Sequence, residues 1–162
     1  MVVPEARDVI VGRDWLVARF PLVRCTYIGP YLDDSDFFAL ADEIAREIDA
    51  RAPDERIGVL QYTPESGVMD SPRRRHIAKL LNEREEKLRQ TTAAYALATH
   101  STFVRGVVTT LSWMAPPGYP HAAVASPEQG LAFIATHLPE CAPDQIARSF
   151  AALIDARLRR AS

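Results

Sequence analysis

Hydrophobic positions along the chain change period several times, and each change marks an element. Val9-Ile10-Val11, Trp15 to Phe20 and Arg24 to Ile28 are short β-branched and aromatic runs, broken by Gly12-Arg13-Asp14 and Pro21. They predict two or three strands, the first break being a hairpin turn in which Gly12 supplies a positive φ. After Gly29-Pro30, the residues Phe37, Leu40, Ala41, Ile44 and Ile48 recur at helical spacing, with Asp34 or Ser35 placed to cap the helix. Ile57 to Tyr62 reads as a buried strand, Thr63-Pro64-Glu65-Ser66-Gly67 as a loop, and Val68 to Ser71 as the approach to a second helix. That helix runs from Pro72 to about Arg89 and carries Ile77, Leu80, Leu81 and Leu88 on one face.

Farther on, Ala93 to Thr99 is a continuous apolar run short enough for a central strand. A third helix from Thr102 to about Met114 ends at Ala115-Pro116-Pro117-Gly118, because a proline pair cannot continue it. His121 to Ala125 gives a last short strand, and Ser126 caps a fourth helix with Pro127 at its first position, running to about Leu138. Asp144 is placed to cap a final helix through Ala161, with Ile146, Phe150, Leu153, Ile154 and Leu158 in register. Strands alternating with helices after an antiparallel start predict an α/β fold: a small mixed sheet of four to six strands, parallel beyond the hairpin. The helices are expected mainly on one face, plus an extra C-terminal helix. In domain terms the expectation is a tail over 1–8, one α/β domain over 9–138 and a helical extension over 139–162 packed on it.

Composition narrows the function classes. A chain of 162 residues with 48% hydrophobic and 25% charged positions supports one core. A formal net charge of −2 gives no global attraction to nucleic acid, so none is expected as a partner. Cys25 and Cys141 have no metal-ligand spacing and are expected as reduced thiols. Nothing near Met1 to Arg7 resembles a secretory leader and no run approaches a membrane span, which leads to an expected cytoplasmic location. His76, His100, His121 and His137 lie in separate elements without i, i+4 pairing, so no metal is expected, and the dispersed glycines form no phosphate loop. His100 or His121 with Ser71 or Ser101 would make a Ser-His pair, but no Gly-x-Ser-x-Gly elbow supports hydrolysis. Neither cofactor nor catalytic residue is assigned.

The Asp70-Ser71 pair at the second helix start, together with the element order over about 9–138, resembles the STAS family of anti-sigma-factor antagonists and sulfate-transporter cytoplasmic domains. The resemblance implies a non-enzymatic regulatory or scaffolding domain working through contact with another protein, with phosphorylation in this turn. The family's hydroxyl usually falls just after the pair, where this chain has Pro72, followed by Arg73 where glycine is common. Ser71 is then the candidate phosphosite or anion site, and its plain role is a helix N-cap. Arg73, Arg74 and Arg75 put three cations in a first helical turn, opposing the macrodipole, so an acidic partner or local acidic residues should compensate them. Trp113, Met114, Pro116, Pro117 and Tyr119 either cover a core edge or form an aromatic docking patch. Candidate partner-binding residues are therefore Asp70, Arg73, Arg74, Arg75, Trp113 and Tyr119. The third helix is apolar nearly all round, which calls for cover by the terminal helix or a second subunit, making a homodimer. The other class of function is a small apolar-ligand or lipid carrier, with a pocket under the third helix lined by Phe37, Phe38, Phe103 and Trp113.

Overall fold

The structure is a computed structural model describing residues 5–65, 69–114 and 116–162, with the backbone alone at 111–113. The elements are β1 (Asp8–Val11), β2 (Trp15–Phe20), β3 (Val23–Ile28), α1 (Asp34–Ala50), β4 (Ile57–Tyr62), α2 (Ser71–Glu83), α3 (Glu85–Thr91), β5 (Thr92–Ala98), α4 (Thr102–Met114), β6 (His121–Val124), α5 (Pro127–His137) and α6 (Pro143–Ala161). Six strands form one sheet in the order β1-β2-β3-β4-β5-β6. The pairs β1–β2 and β2–β3 are antiparallel, and β3–β4, β4–β5 and β5–β6 are parallel. The fold is α/β with a mixed sheet, as the alternation of periods predicts.

Sequential order decides where the helices go. Each parallel crossover steps to the next strand in the same direction, and a right-handed crossover then places its helix on the same face every time. α1, α2 with α3, and α4 therefore share one face. Side chains alternate along strands, so the opposite face also presents apolar residues: Leu16, Ala18 and Phe20 of β2, Val23 and Cys25 of β3, and Leu60 of β4. No crossover can cover them. α5 and α6 do, through Leu131, Ile134, Ile146, Phe150 and Ile154, so most helices share one face, as expected, while the last two cover the other. Gly130 sets how close α5 approaches, since a β-carbon there would lie 2.6 Å from Leu60 Cδ1 and 3.2 Å from Ala96 Cβ.

Several local expectations are corrected. α1 is capped by Asp33, whose carboxylate accepts from Asp36 N at 2.8 Å. α2 is capped by Asp70, accepting from Arg73 N at 2.9 Å, which leaves Ser71 as the first helical residue rather than the cap. α6 opens on Pro143 after Ala142, with no side-chain cap, so Asp144 is a first-turn acid instead. The expected single helix from Pro72 to Arg89 breaks at Arg84, with φ −117° and ψ 13°. The Arg84 guanidinium leaves the helix to donate to both Asp49 carboxylate oxygens of α1, at 2.8 and 3.0 Å, holding the Asp49 carboxyl below its usual range. Gly12 does not supply a positive φ. It makes room for Trp15, whose Nε1 would lie 2.0 Å from an added β-carbon, while Leu22 takes the left-handed φ of 67° in the turn between β2 and β3.

Candidate functional site

The two faces of the sheet differ in chemistry. Against α5 and α6 the strands present Leu, Ala, Phe, Val and Cys side chains. Toward α1, α2 and α4 they present Arg24, Thr26, Gln61, Tyr95 and His121 among Val17, Val59 and Leu97. The helices above this polar face do not close down on it. A two-lobed cavity runs between them, about 320 Å³ in one lobe and 370 Å³ in the other, with Ile44, Gln61 and Ile77 lining both. The first lobe lies toward the N-terminal ends of the parallel strands and is walled by Ile48, Leu80, Leu88 and Val108, with Arg24, Arg51, Tyr95, Tyr119 and His121 in the same wall. The second lies toward their C-terminal ends, between Ile28, Leu32, Phe37, Leu97 and Val104, with Thr63, Glu65 and Arg73. Interiors pack as densely as organic crystals, and voids larger than a water molecule are few. Ligand pockets begin at about this size.

At the foot of the first lobe sits a buried charge cluster. Glu47 projects from the last turns of α1, and Arg51 one turn on clasps it through Nε to Oε1 and Nη2 to Oε2, both at 2.9 Å. Arg51 Nη1 donates to Thr91 Oγ1 at 3.2 Å and Thr92 Oγ1 at 3.3 Å, tying α1 to the α3–β5 junction. Arg24 comes up from β3 and donates through Nη1 to Glu47 Oε2. Side-chain exposures are 8% for Arg24, 6% for Glu47 and 2% for Arg51. Arg51 is satisfied; Arg24 is not, since its Nε has no partner among the described residues. Burial pushes the Glu47 carboxyl up, but the Arg24 and Arg51 charges prevail and hold it below its ordinary value. Burial likewise lowers Arg24 against the pull of Glu47. The phenols of Tyr95 and Tyr119 are raised, chiefly by burial, and remain protonated donors at neutral pH; Tyr95 donates to Gln61 Oε1 at 3.1 Å.

Of the three arginines at the start of α2, Arg73 is compensated within the chain. Arg73 donates to Asp34 Oδ1 at 2.8 and 3.0 Å and to the Leu32 carbonyl at 3.0 Å, and its guanidinium lies 5.1 Å from the Phe37 ring centre. Arg74 donates to the exposed Ser71 hydroxyl at 2.9 Å, and Arg75 is exposed. Asp70 is engaged as the cap. The turn that precedes them, at 66–68, lies outside the described residues, as does the Trp113 side chain.

Tyr119 turns inward to line the first lobe, beside Leu88 and Ile77, rather than standing on the surface as a docking residue. Of the residues expected around a pocket, Phe37 lines the cavity, whereas Phe38 is at its outer side against His76 and Phe103 is 79% exposed. Phe103, Val107 and Met114 leave the outer side of α4 apolar, and α6 packs on the other face of the sheet and does not cover it. Ser101 caps α4 by accepting from Val104 N at 3.2 Å, and His100 Nε2 is 3.3 Å from the Tyr62 hydroxyl, so the imagined Ser-His pairs have structural partners. Arg24 and the Glu47–Arg51 pair at the end of α1 escape sequence reading because they sit in separate elements; a charged residue inside the β3 run, alternating with Val23 and Cys25, is the one signal that pointed inward. Among the described residues no group of acidic, histidine and cysteine side chains is placed to hold a metal, and no helix is long and apolar enough to cross a membrane. Compared with protein families, curated proteins and solved structures, the chain matches none.

Proposed function

We propose that this domain binds a small apolar molecule between its sheet and the layer formed by α1, α2 and α4, as a carrier or sensor. The observation that carries the reading is the two-lobed cavity itself, walled by Ile44, Ile48, Ile77, Leu80, Leu88 and Val108. A core of this length that served stability alone would gain by filling such space, because each missing contact forfeits dispersion energy and the lost contacts add up. The test is titration with 1-aminoanthracene, a neutral fluorophore, into the full chain and into Val108→Trp, alongside non-denaturing mass spectrometry of freshly purified protein. Saturable, blue-shifted emission that the tryptophan suppresses is expected. No saturable emission and no extra bound mass would overturn it.

One observation supports a second reading, the STAS-like regulatory domain acting on another protein. Arg73 both lines the second lobe and anchors the start of α2, next to the exposed Ser71 hydroxyl and Arg75. A partner touching Asp70, Arg74 and Arg75 would thereby sense what the cavity holds. Changing Arg73, Arg74 and Arg75 together to Glu should then abolish a native association in a pull-down; an unchanged set of partners removes the reading.

A further inference from the structure

The charge count at the foot of the first lobe is unbalanced. Two guanidiniums face one carboxylate, and Arg51 alone already occupies both oxygens of Glu47 while its remaining nitrogen serves Thr91 and Thr92. Arg24 adds a second positive charge, 92% removed from solvent by its side-chain exposure of 8%, with Nε unpartnered among the described residues. Arg19, its neighbour across the β2–β3 pair, does not borrow Glu47; it lies 3.5 Å from Asp8 and 3.6 Å from Glu43. Buried charges are paired or coordinated, because an uncompensated one loses its hydration without return. Arg24 lines the cavity wall, as do Tyr95 and Tyr119, and so does the aliphatic surface of Ile44, Ile48 and Leu88.

Resting on the cavity reading above, we propose that the Arg24 end of the first lobe seats a carboxylate, so that the natural occupant is an apolar monocarboxylate lying with its acid group on the Arg24 guanidinium. The class follows from the count. One surplus positive charge balances a monoanion, whereas a phosphate monoester would bring close to two negative charges and leave the deficit reversed. Guanidinium donors lie in one plane and match the two oxygens of a carboxylate. The Tyr119 hydroxyl in the same wall supplies a neutral donor for the second oxygen, and the leucine and isoleucine wall requires an alkyl or aryl body.

The experiment compares decanoate with decan-1-ol, ligands of equal chain length, by isothermal titration on the delipidated full chain and on Arg24→Met and Arg24→Gln. The acid is expected to bind wild type about ten-fold or more tightly than the alcohol. Both variants should lose that preference while retaining the alcohol. Equal binding of acid and alcohol to wild type overturns the proposal and leaves the cavity reading standing. A preference that survives in a folded variant, checked by circular dichroism, also overturns it. If neither ligand nor 1-aminoanthracene binds, the cavity reading falls and takes this with it. The wild-type comparison decides the question even where both variants fail to fold.

Discussion

Removing Arg51 and removing Arg24 should have unequal consequences, although both residues are buried arginines touching the same carboxylate. Arg51→Met takes away both hydrogen bonds that clasp Glu47 and the two to Thr91 and Thr92. Breaking a buried pair costs about 3–5 kcal/mol when a charge is left alone. Glu47 keeps one bond from Arg24, which places the loss near the lower end, about 3 kcal/mol. Arg24→Met instead removes the surplus charge and leaves Glu47 clasped, exchanging an imperfectly satisfied guanidinium for a thioether of comparable reach. Its effect should stay within about 1 kcal/mol in either direction. The difference of about 2–4 kcal/mol corresponds to roughly 5–15 °C in Tm for a domain of this size. Urea unfolding followed by circular dichroism at pH 7, with thermal scans beside it, measures both. Equal losses, or a larger loss for Arg24→Met, would refute the charge count on which the reasoning rests.

Glu47 also makes a pH prediction. Its folded pKa lies below the ordinary carboxyl value, so its contribution is present above that value and is lost as pH falls through the folded pKa. Wild-type stability should therefore drop more steeply below about pH 4.5 than that of Glu47→Gln, measured by urea midpoints across pH 3 to 7. Gly58→Ala in β4 would put a β-carbon 2.3 Å from Cγ2 of the fully buried Ile134, and should destabilise by about 1–3 kcal/mol, with partial rescue by Ile134→Val. Asp70→Ala should cost about 1 kcal/mol through loss of the α2 cap, while Ser71→Ala changes stability by a few tenths at most; the reverse ranking in thermal melts would restore Ser71 as the cap.

How much of this was readable in one dimension depends on the range of the interaction. The strands of the β2–β3 hairpin, the amphipathic register of α1 and α6, and the Ser126-Pro127 start of α5 follow from periodicity and capping chemistry within a few residues. The Ser126 cap was readable outright, whereas two others fall one residue before the expected position: Asp33 before Asp34, and Asp70 before Ser71. The break at Arg84 was not readable, because it depends on Asp49, thirty-five positions away. Nor was the particular partner of Arg73, for which an acidic partner or local acidic residues were expected and which is held by Asp34, Leu32 and Phe37.

By itself, the sequence determined the alternation of strand and helix periods, and with it the α/β class, since hydrophobic spacing is a local property that each segment carries alone. Tertiary structure decided which face of the sheet each helix covers, because sequential strand order and right-handed crossovers send α1 through α4 one way and leave α5 and α6 to close the other side. It also decided the candidate site. Arg24, Glu47, Arg51, Tyr95 and Tyr119 come from four separate segments, Glu47 and Arg51 sharing the end of α1, and a buried charge imbalance among them exists only once the chain has brought them beneath one helical layer.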